Sequence, residues 1–177
     1  MIIIKSIINN KNKYKLFFCD IYGLIDFFKI NEKIINNFEI ILKAHRQNDI
    51  DCKYIKIFNE DIMIHHMYKL TIYYQFIYNQ KNFEIITMAR IGIDNIKKYG
   101  EFSMVHTNHI YRGQKFCQKN INLFMNNILS FKNNNQIKKF SLYVRQTNIP
   151  AIKCYESCGF EIKSKEKEYF LMEKIIK

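Results

Sequence analysis

Two stretches of the chain carry residues whose types and spacing could support chemistry. The first follows Glu101–Asn108, a segment typical of a strand, and begins with Arg112 and Gly113. A helix is expected to follow, because apolar residues recur at helical spacing over residues 116–131. A helix N-terminus offers unpaired N–H groups and a partial positive charge, to which Arg112 and Lys115 add cations. The pattern favours a phosphate or pyrophosphate site, and the alternative is an ordinary strand-to-helix turn with solvated lysines.

The second stretch runs from residue 142 to residue 160. A strand ends there, Asn148 is suited to cap a helix, and Pro150 falls in the first turn, where proline is tolerated. Asn148, Ala151 and Tyr155 then share one helix face. The Tyr155 hydroxyl, with an ordinary pKa near 10, could donate a proton to a basic leaving group such as a thiolate. The alternative is a core tyrosine with a satisfied hydroxyl.

The middle of the chain predicts the strands that must position these residues. Thr71–Tyr78 and Phe83–Asp94 are rich in β-branched and aromatic residues and flank the polar turn Asn79–Asn82, which is typical of a hairpin. Tyr99-Gly100 is expected to break the chain before Glu101–Asn108, the third antiparallel strand.

The order of the later elements predicts the fold class. Phe140–Val144 is expected to be a strand and Asn148–Cys158 a helix that ends at Gly159 with left-handed backbone. Phe160–Lys163 and Tyr169–Glu173 are expected to be the last strands. This is an α+β order: a mixed, mostly antiparallel sheet flanked by helices. The strand–helix–strand step over residues 101–144 should place two strands in parallel by a right-handed crossover.

The first sixty residues carry weaker patterns. Tyr14–Phe18 and Lys53–Phe58 are predicted to be short strands. Asp20 is expected to cap a short helix through Phe28, and residues 31–46 show helical spacing of apolar residues.

Composition excludes several classes of protein. With 48% hydrophobic residues, 5 Gly and 1 Pro in 177 residues, the chain is expected to fold as one domain over residues 1–177. The N-terminus has no signal-peptide pattern and no apolar run approaches a membrane span, so a cytoplasmic protein without a membrane partner is expected. The 5 Cys have irregular spacing and are expected to be reduced thiols. No cysteine or histidine spacing indicates a metal site.

Together, the two stretches resemble the GNAT-type N-acetyltransferase superfamily. The segment N-I-P-A-I-K-C-Y-E-S-C-G-F at 148–160 is similar to the family pattern N-x-x-A-x-x-x-Y-[EK]-x-x-G-F, and Tyr111–Gln114 resembles the start of its pyrophosphate loop. The resemblance covers residues 67–175, the expected acetyl-CoA-binding core, whereas residues 1–60 resemble the family poorly. One departure is that Lys115 and Cys117 occupy the two positions where the family loop has small residues.

The resemblance implies a set of cofactor contacts. Acetyl-CoA would be the donor, with its pyrophosphate on the loop and its pantetheine arm along the third strand, and Asn148 near the thioester. The implied cofactor-binding residues are Val105, His106, Thr107, Arg112, Gly113, Gln114, Lys115, Phe116, Cys117, Gln118 and Asn148.

The resemblance also implies a mechanism. An amine on a small molecule, peptide or protein would attack directly in a ternary complex, while Tyr155 acts as general acid to the CoA thiolate and a strand N–H polarises the acyl oxygen. Glu101, His106 and His109 are the candidate bases. The protein would be a monomer or a homodimer.

Two other functions remain open on the residues. One is a non-catalytic module of the same fold that binds CoA or a partner, because Lys115 and Cys117 replace small residues. The other is a basic nucleic-acid-binding protein, which the net charge of +12 supports. Nucleic acid is the less favoured partner, because lysines at 163–167 alternate with glutamates and no RNA-binding signature is present.

Overall fold

The structure is a computed structural model that describes residues 2–9, 12–20, 22–24, 32–45, 54–131 and 136–176. Eight strands form one sheet in the order β1-β2-β3-β4-β5-β6-β8-β7. Their bounds are β1 Ile2–Asn9, β2 Asn12–Asp20, β3 Leu70–Tyr78, β4 Ile85–Asp94, β5 Tyr99–Thr107, β6 Lys139–Arg145, β7 Glu161–Glu166 and β8 Tyr169–Ile175. Every neighbouring pair is antiparallel except β5 and β6, which are parallel.

The four longer helices in the described ranges pack around this sheet: α1 (Glu32–His45), α2 (Tyr54–Tyr68), α3 (Phe116–Leu129) and α4 (Ile149–Ser157). The crossover from β5 to β6 runs through α3, as the sequence predicts, and the α+β, mostly antiparallel fold class is confirmed. No helix in the described ranges is long and apolar enough to cross a bilayer.

The sheet separates two hydrophobic clusters. One cluster buries the apolar stripe of α3, including Phe116, Ile121 and Phe124, against β4, β5 and β6. The other packs α1, through Ile34 and Phe38, against β2 and β3 on the opposite face. The cluster under α3 and α4 is the one that supports both functional stretches.

The predicted strand at Lys53–Phe58 is wrong, because residues 54–58 open helix α2. The pattern of a short apolar run cannot separate strand from helix, and tertiary contacts decide. On α2, Ile62 packs on the sheet and Asp61 pairs with Arg90 of β4. The strand β1 carries no pattern that the sequence analysis recognised.

The other boundary errors are smaller. Tyr99 and Gly100 lie inside β5 and do not break the chain, because the turn that precedes the strand occupies residues 95–98. The Gly23 N–H donates to Asp20 Oδ1 at 2.8 Å, which agrees with the predicted cap, and the rest of that short helix lies outside the described residues.

Candidate cofactor and active site

The site begins where β5 separates from β6. The two strands pair only from Tyr99 to Phe102 on β5, although β5 continues to Thr107. The β4–β5 register shifts between Met88 and Arg90, and Met104 in the added stretch of β5 has a φ of +52°. An extra residue of this kind forms a bulge that bends its strand, so the last residues of β5 leave a gap beside β6.

A cleft of about 570 Å³ opens at this gap, between the end of β5, the start of α3 and the first turns of α4. Most of the residues predicted to bind the cofactor border it, together with Tyr155. They are Val105, His106, Thr107, Arg112, Gly113, Lys115, Phe116, Cys117, Gln118 and Asn148. Gln114, also predicted, lies outside the lining and donates from its side chain to the Ile110 carbonyl at 3.3 Å.

The start of α3 forms one end of the cleft. Gly113 has a φ of +76°, and a Cβ placed there would meet no atom within 4 Å, so the loop leaves open space. Among the described residues, none of the six backbone N–H groups from Gly113 to Gln118 donates to a protein acceptor. Such a row of free N–H groups at a helix start is suited to an anion, and Arg112 and Lys115 are exposed beside it.

Lys115 stands where the resembling loop has glycine, and it keeps the backbone that glycine would adopt. Its φ is +60° and its ψ is 16°, in the left-handed region. A non-glycine residue is strained there. The backbone path of the loop is therefore retained, and the lysine side chain is added at its edge.

Helix α4 forms the opposite wall. Asn148 Oδ1 accepts the Ala151 N–H at 3.3 Å, and Pro150 occupies the first turn, so the predicted cap is confirmed. The helix ends at Ser157, and Gly159 just beyond it has the predicted left-handed backbone, with a φ of +84°. Tyr155 borders the cleft but is only 6% exposed, and burial raises the pKa of its phenol to about 12. Within the described part of the chain, its hydroxyl has no hydrogen-bond partner.

No family model matches the sequence, and no curated protein matches it. Among solved structures, the ribosomal-protein-S5-alanine acetyltransferase from Vibrio fischeri superposes with a TM-score of 0.67, 10% identity and coverage of 97% of this chain and 96% of that one. The ribosomal L7/L12 α-N-protein acetyltransferase gives a TM-score of 0.61, 15% identity and coverage of 98% and 96%. The PaiA N-acetyltransferase from Thermoplasma acidophilum, solved with coenzyme A, gives a TM-score of 0.59, 16% identity and coverage of 92% of this chain and 99% of that one.

The chain has the GNAT acetyltransferase fold. The architecture that the resemblance implied for residues 67–175 is thereby confirmed, and the similarity extends over the first sixty residues, which the resemblance did not cover. In this GNAT fold, the opening between β5 and β6 begins beyond Phe102, where the two strands stop pairing.

The three candidate bases of the GNAT site lie in different places. His106 borders the cleft, whereas His109 is exposed in a short 3-10 turn outside it. Phe102 packs under α3, so its neighbour Glu101 projects from the other face of β5. Desolvation by the surrounding protein raises the pKa of the Glu101 carboxyl, and the Arg90 cation opposes the shift. The structure therefore separates Glu101 and His109 from the cleft and keeps His106 in it.

The cysteines contradict the expectation of five reduced thiols. Cys117 in the first turn of α3 and Cys154 on α4 form a disulfide, with their Cα atoms 6.3 Å apart. Both residues border the cleft. Cys19 and Cys158 are free and buried, and Cys52 lies outside the described residues. Spacing of 37 residues could not have revealed the pair, because only the packing of α4 on α3 brings the two positions together.

Further residues of the site were missed by sequence reasoning. Tyr111 borders the cleft, and its hydroxyl donates to Glu84 Oε2 at 3.0 Å, which anchors the loop to the start of β4. Lys153 on α4 also borders the cleft, and it adds a third cation to Arg112 and Lys115. The helical spacing of Lys153 from Asn148 and Tyr155 was the available signal, but lysine is common throughout this chain.

Proposed function

We propose that this protein is an acetyl-CoA-dependent N-acetyltransferase that transfers the acetyl group to an amine by direct attack in a ternary complex. The observation that carries the proposal is the cleft itself. One end presents free N–H groups and cations, and the other presents the buried, protonated hydroxyl of Tyr155. Few functions besides the transfer of a group from a phosphate-bearing thioester would use both ends.

The residues present fit coenzyme A. The N–H groups of residues 113–118 suit the pyrophosphate, and Arg112, Lys115 and Lys153 suit its charge. The unpaired side of β5 near Val105 and Thr107 can bond the amides of a pantetheine arm as an added strand would. The Asn148 oxygen is used by its own helix, which leaves its Nδ2 group for a ligand.

The chemistry of the transfer follows from these positions. Acetyl-CoA supplies the acetyl group as a thioester. Tyr155 holds its proton at the hydroxyl oxygen, because a pKa of about 12 keeps the phenol neutral, and it can donate that proton to a leaving thiolate. A backbone N–H on the open side of β5 can hydrogen-bond the acyl oxygen. For the acceptor proton, His106 is the candidate base that borders the cleft, and we propose that it accepts the proton.

The proposed acceptor is an amine on a small molecule, peptide or protein. Neighbours of this fold are named as acetyltransferases of ribosomal proteins and of spermidine. Both acceptors carry amines. We propose that the amine reaches the cleft beside the end of β5, where this strand no longer pairs with β6.

Calorimetric titration with acetyl-CoA, followed by an acceptor panel assayed for released CoA, tests the proposal. We expect one site and turnover with at least one amine class. Tyr155→Phe should lower kcat far more than it weakens acetyl-CoA binding, because only the proton donor is removed. Absence of binding at millimolar acetyl-CoA would falsify the proposal.

A second candidate is a non-catalytic CoA-binding module. The observations that favour it are the strained Lys115 and the Cys117–Cys154 disulfide, both of which alter the loop that holds phosphate. The same titration separates the two candidates: binding of CoA without turnover on any amine class supports the module, and turnover excludes it.

A further inference from the structure

A chain of buried polar side chains crosses the hydrophobic cluster between the sheet and α3. Gln75, Thr87 and Asn120 are 0% exposed and Asn127 is 6% exposed. Polar groups in such a place are costly unless each is hydrogen-bonded. These four are all bonded, and their bonds lead to the cleft.

One part of this buried polar chain fixes α3 on the sheet. Gln75 Nε2 of β3 donates to Asn120 Oδ1 at 2.9 Å and to the Asn120 carbonyl at 2.8 Å. Asn127 Nδ2, two turns further along α3, donates to Gln75 Oε1 at 2.8 Å. A single glutamine therefore holds two points of the helix, which sets the position of α3 along its own axis.

The other part reaches the wall of the cleft. Asn120 Nδ2 donates to Thr87 Oγ1 of β4 at 3.5 Å, and Thr87 Oγ1 donates to the His106 carbonyl at 2.7 Å. The Thr107 hydroxyl donates to Thr87 Oγ1 at 3.2 Å. His106 and Thr107 both border the cleft, and Asn120 follows the cleft residue Cys117 by one turn of α3.

The Thr87 bond also orients the backbone of β5. The His106 carbonyl and the Asn108 N–H, which donates to the Ile86 carbonyl at 2.8 Å, both face β4. Backbone groups of successive strand residues point to opposite sides, so those of Thr107 between them face the gap beside β6. That gap is where a pantetheine arm would add to the strand.

We propose that Thr87, together with Asn120, is a positioning residue for the acetyl-CoA site. It holds the pyrophosphate end of the cleft, on α3, at a fixed distance from the pantetheine side, on β5. This inference rests on the proposed function and deepens it. Neither Thr87 nor Asn120 borders the cleft, so both would act through the residues that do. The network sets the separation of two binding surfaces that the same ligand must contact at once, so its loss weakens cofactor binding and leaves the proton donor in place.

The test is Thr87→Val, which keeps the shape of the side chain and removes the hydroxyl. We expect the KM for acetyl-CoA and the calorimetric Kd for CoA to rise about tenfold, because all three hydrogen bonds of the Thr87 hydroxyl are lost, while kcat changes less than twofold. Thr87→Ser keeps the hydroxyl and should restore both constants. Thr71→Val on β3 is the control, because among the described residues its hydroxyl accepts a hydrogen bond from Asn95 alone, and neither residue borders the cleft. This variant should leave the constants unchanged.

The outcomes separate this inference from the function on which it rests. If the wild-type protein binds no CoA, the proposed function and this inference fail together. If the wild type binds CoA and a folded Thr87→Val, checked by its thermal transition, binds it equally well, only the positioning role is overturned. A purely structural role would lower the melting temperature of Thr87→Val without changing the KM, and that result also overturns the inference.

Discussion

Tyr155 is the residue whose environment has the clearest chemical consequence. Its burial raises the pKa of the phenol to about 12, so in the folded protein it stays neutral where an ordinary tyrosine, with a pKa near 10, ionises. A raised folded-state pKa favours folding below the unfolded value, and this contribution is lost as the pH rises from about 10 through 12. We expect the tyrosinate absorbance change around pH 10 to be the same in wild type and Tyr155→Phe.

The absorbance of the two proteins can be compared only at pH values where both are folded. Circular dichroism at each pH is the control that checks the fold. A wild-type chain that gains one more tyrosinate than Tyr155→Phe near pH 10 would show that Tyr155 titrates normally. In an active preparation the same shift predicts that kcat keeps its value through pH 10, since the donor remains protonated.

Lys115 carries a second prediction, because its φ of +60° is unfavourable for any residue with a Cβ. Lys115→Gly should raise the free energy of unfolding by up to about 1 kcal/mol. This value is the backbone strain that glycine relieves, minus the conformational entropy that glycine adds to the unfolded chain. It should also weaken CoA binding if the ammonium contacts phosphate. Urea unfolding and calorimetry measure the two effects.

Lys167→Gly is the matched control for that experiment. Lys167 has a φ of +51° in the turn between β7 and β8 and does not border the cleft, so it offers the same relief without the cofactor. If neither variant is more stable than the wild type, the strain argument is contradicted. A change in CoA affinity for Lys167→Gly contradicts the assignment of the loop.

Sequence patterns predicted the residues that chemistry places at fixed local spacing. Asn148 and Tyr155 lie in one short helix, and Arg112 and Gly113 lie in one turn, so propensity and spacing were sufficient. Cys117 with Cys154, and Thr87 with Asn120, are joined only by tertiary packing. No local rule relates residues that are 33 or 37 positions apart.

At the scale of elements, α2 shows why the N-terminal third was harder to predict. The short apolar run at its start favoured a strand at Lys53–Phe58, but residues 54–58 are helical. What holds it is a polar contact: Asp61 Oδ2 accepts hydrogen bonds from the Tyr74 hydroxyl and from Arg90 Nε, and Asp61 Oδ1 pairs with Arg90 Nη2. A lone aspartate in an apolar helix gives no sign of partners on two later strands.

The Asp61 pair makes a prediction about the attachment of α2. The Asp61 carboxylate is 4% exposed, so its removal leaves the Arg90 cation buried without its partner. Asp61→Ala should lower the free energy of unfolding by about 3 kcal/mol or more. Glu161→Ala, which removes an exposed partner of Lys163, is the control and should change stability by less than about 1 kcal/mol. Equal effects in urea unfolding would contradict the assigned role of Asp61.

At the scale of the whole molecule, the fold positions the cleft by two independent ties between its walls. The buried polar chain joins α3 to β4 and β5, and the Cys117–Cys154 disulfide joins α3 to α4. The one parallel pair was predictable from the order of elements, because a helix between two neighbouring strands requires a crossover. The bulge that opens the gap was not, since it depends on how β4 and β5 pair.

The disulfide tie leads to a prediction for the molecule as a whole. It closes a loop of 37 residues that contains α3 and β6, so its reduction should lower the free energy of unfolding by about 4 kcal/mol through the entropy of the unfolded chain. Melting curves with and without a strong dithiol reductant measure the change, and Cys117→Ser with Cys154→Ser should match the reduced wild type and no longer respond to reductant. Cys19→Ser is the control, because the Cys19 thiol is buried and forms no disulfide, so this variant should keep the full response to reductant.

Since both sulfurs belong to residues that border the cleft, reduction should also weaken CoA binding by freeing α3 from α4. A wild-type protein with the same melting temperature and CoA affinity in both redox states would show that packing alone holds the two walls together.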